Sequence, residues 1–302
     1  MKIVLHVGLP KSGTTSFQNY LVTGYSAPTD GTWYPPLGQT KRVPIQLLIG
    51  HALRDGDLSE FDARLKSFEG KADQLILSDE NIYVEMPAVT KTTRLAFERI
   101  MARYDVTLLS VTRGKDAWMR SFYIQALELR ASKAKSDQQT ANSMWQTPLS
   151  FEAFFETPYA KQVCNSAQLL DVIAEVSKAS SRINLQYEEH PDVVEGLRSA
   201  LDLRIPTQPT GARSNPSLSD VQAEILRQAN GQRPIDGRMI RALIAIDNGT
   251  QPRPKLREKL LLWRKTYDWD TLRHSHNAPL RYTQAEFEAK LKNLRAYAVD
   301  LT

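Results

Sequence analysis

The chain has 302 residues, of which 41% are hydrophobic and 24% are charged. This composition is that of a folded globular protein and disfavours disordered, collagen-like and coiled-coil classes. The net charge of +5 suits a small polyanionic ligand, whereas a nucleic-acid-binding protein needs a denser basic face.

Cysteine usage and the N-terminus bear on the compartment. A single cysteine, Cys164, excludes an intramolecular disulfide and a cysteine-based zinc site, and it fits a reducing compartment. The apolar run at the N-terminus is too short for a signal peptide, and no stretch approaches the length of a membrane span. We therefore expect a cytoplasmic protein with no targeting segment or membrane anchor.

Short apolar runs alternate with segments of helical spacing along the first two thirds of the chain. The runs predict strands at Ile3 to Val7, Leu75 to Leu77, Val106 to Val111 and Ile183 to Tyr187. Helices are predicted at Thr14 to Leu21, Ile45 to Leu53, Val89 to Ala102 and Ala117 to Leu129. This alternation indicates a parallel sheet with its ligand site at the carboxyl ends of the strands.

Two regions depart from the alternation. Residues 24 to 44 are interrupted by prolines and glycines, which makes them too broken for regular structure, and they are expected to form a long loop that shapes an acceptor pocket. After Leu201 the composition shifts, and further helices are predicted. We interpret residues 217 to 302 as a helical C-terminal extension of a single domain whose core spans about residues 1 to 220. A separate second domain is the alternative.

The strongest motif is GLPKSGTT at residues 8 to 15, between the first predicted strand and the first predicted helix. A glycine-containing turn at a helix N-terminus directs backbone N–H groups into one concavity, where the helix dipole also favours phosphate. The spacing of Gly8 and Gly13 matches half of the nucleotide triphosphate loop, but Thr14 occupies the place of that motif's lysine. The lysine lies inside the loop, at Lys11. A turn of small residues without a ligand is the alternative.

The string PKSGTT at residues 10 to 15 resembles the phosphosulfate-binding loop of sulfotransferases that use 3′-phosphoadenosine 5′-phosphosulfate (PAPS). The residues that this resemblance implies for the 5′-phosphosulfate are Lys11, Ser12, Gly13, Thr14 and Thr15. It also implies that Lys11 stabilises charge on the bridging oxygen as the sulfuryl group leaves.

A second element of the same family is an arginine at the end of a strand, followed eight residues later by a serine, both on the 3′-phosphate of the donor. Arg113 and Ser121 have this spacing here. A guanidinium presents a fork of N–H donors that suits a phosphate. Arg213 resembles, more loosely, a basic residue that the family returns to the 3′-phosphate. The cytosolic branch has a tryptophan after the loop where this chain has Ser16, so the resemblance names no residue that stacks on adenine.

Acidic residues follow the predicted strand at Leu75 to Leu77. Members of the family use either a histidine or a glutamate as the base on the acceptor hydroxyl. In several carbohydrate-acting members it is a glutamate after the second strand, and Glu80 resembles that base. Glu80 as a helix-capping or solvated acid is one alternative, and Asp79 as a Mg²⁺ ligand of a kinase-like site is another.

The histidines and aromatic residues are weaker candidates. His51 is a second candidate for the catalytic site, because its segment follows the loop expected to line the acceptor pocket; a surface histidine is the alternative. His6 lies within the first strand and is expected to be a core residue. Trp118 and Phe122 are four residues apart on one helix face and are also expected in the core.

These features together predict an α/β protein: a P-loop-type three-layer sandwich with a central parallel sheet and a helical C-terminal extension. The resemblance implies a sulfotransferase that moves the sulfuryl group from PAPS to a hydroxyl or amine, releases adenosine 3′,5′-bisphosphate (PAP) and needs no metal. A glutamate base favours a glycan or glycolipid acceptor. An atypical P-loop kinase using ATP and Mg²⁺ is the alternative, and a non-catalytic P-loop binding module is a further one.

Overall fold

The computed structural model describes residues 1–9, 12–37, 46, 48–128, 147, 149–190, 192–206, 223 and 227. Lys11, Arg213 and the predicted C-terminal helices, apart from single residues, lie outside these ranges. The described residues belong to two compact units, one with residues up to 122 and from 155 to 206, and one with residues 123–128, 147, 149–154, 223 and 227. The single-domain organisation stays a prediction.

A five-stranded parallel sheet forms the centre of the first unit. Its strands are β1 (Lys2–His6), β2 (Thr32–Trp33), β3 (Gln74–Ser78), β4 (Asp105–Thr112) and β5 (Ala179–Gln186), in the spatial order β2-β3-β1-β4-β5. Strand β1 pairs with β3 on one side and with β4 on the other. The chain therefore changes its direction of winding at β1, and in such sheets the ligand crevice lies outside the carboxyl ends of the strands at this point.

Helices of the described ranges lie between these strands, and the last of them follows β5. They are α1 (Thr14–Tyr25), α2 (Leu48–Asp55), α3 (Ser59–Phe68), α4 (Asn81–Glu85), α5 (Lys91–Met101), α6 (Lys115–Glu128), α7 (Phe151–Glu156), α8 (Pro158–Cys164), α9 (Ser166–Val176) and α10 (Val193–Ala200), with short 3-10 helices at Met86–Ala88 and Tyr187–Glu189. Within the described ranges, none of them is both long and apolar enough to cross a membrane.

Both faces of the sheet are covered. Successive residues of β1 and β3 are buried without alternation, which is the pattern of strands packed on two sides. On one face, Val4, Ile76 and Leu109 form a core cluster with apolar residues of α1 and α10. The intervening residues Ile3 and Leu5 are fully buried and point to the opposite face. The predicted α/β class with a central parallel sheet between helical layers is confirmed.

The expectation that residues 24 to 44 lack regular structure is wrong at β2. Gly31 turns the chain at a φ of 77°, and Thr32 and Trp33 then pair in parallel with Gln74 and Leu75. Two residues are too few for a periodic sequence signal, so this strand is fixed by its pairing with the edge of β3.

Candidate active site

The N-terminus of α1 begins directly after the loop that follows β1. Gly13 precedes the helix with a φ of 83°, a left-handed conformation that glycine adopts without strain. No side chain of a described residue caps the helix, and its first turn contains no acidic residue. The backbone N–H groups of Gly13, Thr14 and Thr15 have no acceptor among the described residues. These donors, at the positive end of the helix dipole, suit an anion.

Gly8 and Thr14 interlock in this loop. A Cβ on Gly8 would lie 2.0 Å from Thr14 Cγ2, so position 8 accepts only glycine unless the threonine moves. Ser12 is buried, and its Oγ donates to the carbonyl oxygen of Leu9 at 2.6 Å. Because the Ser12 hydroxyl hydrogen is used within the loop, the donors that the described residues of the loop offer to an anion are backbone N–H groups.

Glu80 contacts the loop directly. Thr14 Oγ1 donates a hydrogen bond to Glu80 Oε2 at 2.8 Å. This bond links the segment that follows β3 to the first residue of α1. Glu80 is the residue before α4, but its side chain makes no capping hydrogen bond, so the helix-capping alternative is wrong. The structure thus places the candidate base against the candidate anion loop.

Asp79 has a different environment from its neighbour. Its side chain is fully buried, and Oδ2 accepts the N–H of Gly50 at 2.7 Å. Oδ1 accepts from the backbone N and the Nδ2 of Asn81, at 2.9 and 2.8 Å. Burial raises the pKa of Asp79 to about 7, while the N–H donors of Gly50 and Asn81 act in the opposite direction. Both oxygens tie α2 to α4, so this carboxylate gives the kinase alternative no support.

A buried polar network connects the ends of β1 and β3 with α1. His6 Nδ1 and Ser78 Oγ are 2.7 Å apart, and Gln18 Nε2 donates to the same Ser78 oxygen at 3.0 Å. Burial lowers the pKa of His6 to about 3, so its ring is neutral at physiological pH. The interpretation of His6 as a core residue is confirmed.

His51 lies on α2, next to the Gly50 amide that binds Asp79. It is half-buried, and burial, together with the nearby Arg54 charge, lowers its pKa, which favours a neutral imidazole. A catalytic role for His51 stays a prediction.

Arg113 and Ser121 meet at the end of β4, as their spacing predicts. Arg113 Nη1 donates to Ser121 Oγ at 3.2 Å. The guanidinium carbon also lies 5.0 Å from the centroid of the Tyr187 ring, within the range of a cation–π contact. Tyr187 in turn lies 3.4 Å from the place that a Cβ on Gly13 would take. The tyrosine ring therefore lies over the arginine and beside Gly13 of the anion loop.

Glu188, beside Tyr187, is the acidic neighbour of this arginine. Its Oε1 and Oε2 both accept the N–H of Gly114, at 3.0 and 3.1 Å, just before α6 begins. Oε1 is also 3.7 Å from Arg113 Nε, and the Glu188 side chain remains 49% exposed. The sequence pattern assigned neither Tyr187 nor Glu188 to the site, although both follow directly after β5 at the expected edge of the sheet.

The remaining predicted residues divide into three groups. Trp118 and Phe122 are buried and stacked with ring centroids 5.1 Å apart, which confirms the core interpretation. Thr15 is exposed on the first turn of α1. Lys11 and Arg213 lie outside the described residues.

Within the part of the chain that the structure describes, no three His, Cys, Asp or Glu side chains are grouped to hold a metal ion.

Comparisons with known proteins add little to this geometry. No protein-family model matches the chain, and no curated protein matches it. Among solved structures, the chain is similar to a sulfotransferase from Alicyclobacillus acidocaldarius, with 15% identity and a TM-score of 0.39, over 90% of this chain and 98% of that one. So distant a likeness does not bear on activity, and the function has to be inferred from the side chains of the site.

Proposed function

We propose that the protein is a PAPS-dependent sulfotransferase, which moves the sulfuryl group from PAPS to a hydroxyl or amine of an acceptor. The observation that carries the proposal is the Arg113–Ser121 contact beside Tyr187, whose ring also lies next to Gly13 of the anion loop. Two places for anions thus lie at the ends of neighbouring strands β1 and β4, next to an aromatic ring. A ligand with two separate anionic groups and a flat base fits this combination.

The donor set matches the chemistry of PAPS. The open N–H groups at Gly13 to Thr15, with Lys11 from the same loop, would hold the 5′-phosphosulfate. Arg113 and Ser121 would hold the 3′-phosphate, with Arg213 as a further candidate. PAPS supplies the activated sulfuryl group when bound. Tyr187 offers an aromatic face beside Arg113, where the sequence alone named no residue for adenine.

Glu80 is the proposed base. Its contact with Thr14 holds a carboxylate at the anion loop. The sulfuryl group of a donor bound there and an incoming acceptor hydroxyl would meet beside this carboxylate. Glu80 would take the proton of the acceptor oxygen as that oxygen forms its bond to sulfur, while the bond from sulfur to the bridging phosphate oxygen breaks and PAP leaves. Oriented N–H donors of the loop stabilise the charge that develops on the leaving oxygen. We propose a glycan or glycolipid acceptor, with His51 on the acceptor side.

The deciding experiment is calorimetric titration with PAP in the absence of metal, compared with ATP plus Mg²⁺. We expect micromolar binding of PAP, weakened about 30-fold in Arg113→Ala because charge-assisted hydrogen bonds to the phosphate are lost. Arg99→Ala is the matched control, since Arg99 is an exposed arginine of α5. Binding of ATP only with Mg²⁺ would favour the kinase, and no binding of either ligand would favour a non-catalytic module.

The role of Glu80 is tested separately from binding. Glu80→Gln removes the base but keeps an acceptor for Thr14, so PAP affinity should stay within about twofold of the original. Sulfuryl transfer from labelled PAPS to an acceptor found by screening should fall by about 100-fold or more. Unchanged transfer in this variant would exclude Glu80 as the base.

A further inference from the structure

The carboxylate of Glu188 uses donors that a phosphate at Arg113 would also need. It accepts the Gly114 N–H with both oxygens, and its Oε1 lies 3.7 Å from Arg113 Nε. Gly114 directly precedes α6, so this N–H belongs to the positive end of a helix, a position that stabilises anions. Glu188 is therefore an internal anion beside Arg113.

Arg113 is held by other groups as well. Its Nη1 donates to Ser121, and its guanidinium lies over the Tyr187 ring. Removing the Glu188 charge leaves both of these contacts in place. The arginine would then keep its position and lose a neighbouring negative charge that competes with an incoming phosphate.

Displacing Glu188 is energetically easy. The side chain is 49% exposed, so its carboxylate regains water when it turns away from Arg113. Exposed ion pairs contribute little to stability, whereas a phosphate brings up to two charges and several acceptor oxygens to the same donors. The carboxylate and the phosphate also repel each other while both remain near the arginine.

We propose that Glu188 is a specificity-determining residue of the donor site, which weakens binding of the 3′-phosphate by competing for Arg113 and the Gly114 N–H. The inference rests on the proposed function, because it takes PAP as the ligand of Arg113. It implies that Glu188 limits the preference for nucleotides with a 3′-phosphate over those without one. It also implies that Glu188 favours release of PAP after transfer.

The test compares two ligands that differ only at the 3′ position, PAP and adenosine 5′-phosphate. Glu188→Gln should tighten PAP binding about three- to fivefold and change binding of adenosine 5′-phosphate by less than twofold. Glu189→Gln is the matched control, because Glu189 is an exposed acid in the same 3-10 helix and its change alters the net charge equally. That control should change PAP affinity by less than twofold.

Three results would overturn the inference: weaker PAP binding in Glu188→Gln, equal effects of Glu188→Gln and Glu189→Gln, or equal tightening of both ligands. If Glu188→Gln does not fold, Glu188→Asp keeps the charge on a shorter chain and should give a smaller gain for PAP alone. Failure of the unaltered protein to bind PAP would instead refute the proposed function. The two failures are therefore distinguishable.

Discussion

Two carboxylates at the same edge of the sheet accept backbone N–H groups at the starts of helices, yet their surroundings are opposite. Asp79, after β3, is 0% exposed and binds the amides of Gly50 and Asn81 with separate oxygens. Glu188, after β5, is 49% exposed and binds the Gly114 amide beside Arg113. The buried carboxylate cannot be exchanged for water or a ligand without loss of structure, whereas the exposed one can. At one end of the candidate site the carboxylate of Asp79 supports the fold. At the other end the carboxylate of Glu188 is free to move when a ligand binds.

Asp79→Ala tests whether the buried carboxylate is structural, and it should have the largest effect on stability. The Gly50 and Asn81 N–H groups would lose their acceptor in a place that water does not reach, so we expect a loss of about 4 kcal/mol in the free energy of unfolding. Urea unfolding of the original protein and the variant measures this loss. The control is Asp171→Ala, since Asp171 is an exposed acid paired with Arg182 and should matter little. Equal losses in the two variants would show that Asp79 is not a structural carboxylate.

Glu85→Gln tests a second buried acid, which lacks the hydrogen-bond donors that surround Asp79. Glu85 is 5% exposed, and its Oε2 has no hydrogen-bond partner among the residues that the structure describes. Burial raises the pKa of Glu85 to about 7, above its ordinary 4.5. The folded state therefore disfavours the ionised carboxylate, and its contribution to stability falls as the pH rises from 4.5 to 7.

Glutamine does not ionise, so Glu85→Gln should become more stable relative to the original protein across this interval. The gain at pH 8 should reach up to about 3 kcal/mol and should shrink towards pH 4.5. Urea unfolding of both proteins at pH 5 and pH 8 measures the difference. A difference that does not depend on pH would contradict the prediction.

Ser121→Ala should have the smallest effect, at the responsive end of the site. The variant removes one hydroxyl that accepts from Arg113 Nη1, so PAP affinity should fall about fivefold, equivalent to about 1 kcal/mol. The free energy of unfolding should change by less than about 0.5 kcal/mol. Adenosine 5′-phosphate is the control ligand, and an equal loss for both nucleotides would place Ser121 away from the 3′-phosphate.

Local patterns in the sequence predicted the parts of the site that lie close together in the chain. The loop from Gly8 to Thr15 follows a strand and precedes a helix, and the eight-residue spacing of Arg113 and Ser121 spans a strand end and two helical turns. Both relations are set by short-range geometry, which the order of residues contains.

The missed contacts depend on strand pairing between distant segments. Tyr187 and Glu188 reach Arg113 only because β5 pairs with β4, more than 70 residues away in the chain. Asp79 reaches Gly50 through the packing of α2 on α4. The contact of Glu80 with Thr14 likewise depends on the β1–β3 register, in which His6 lies opposite Ser78. Spacing along the chain carries no direct signal for such pairs.

The close approach of Gly8 and Thr14 restricts the order in which these two positions can be substituted in evolution. An alanine at position 8 would put its methyl group 2.0 Å from the Thr14 methyl, whereas serine at position 14 lacks that methyl and keeps the hydroxyl that Glu80 accepts. The two substitutions are therefore not independent. Gly8→Ala should be better tolerated after Thr14→Ser than before it, because the serine removes the closest contact and leaves His6 Nε2 at 3.2 Å from the new methyl group.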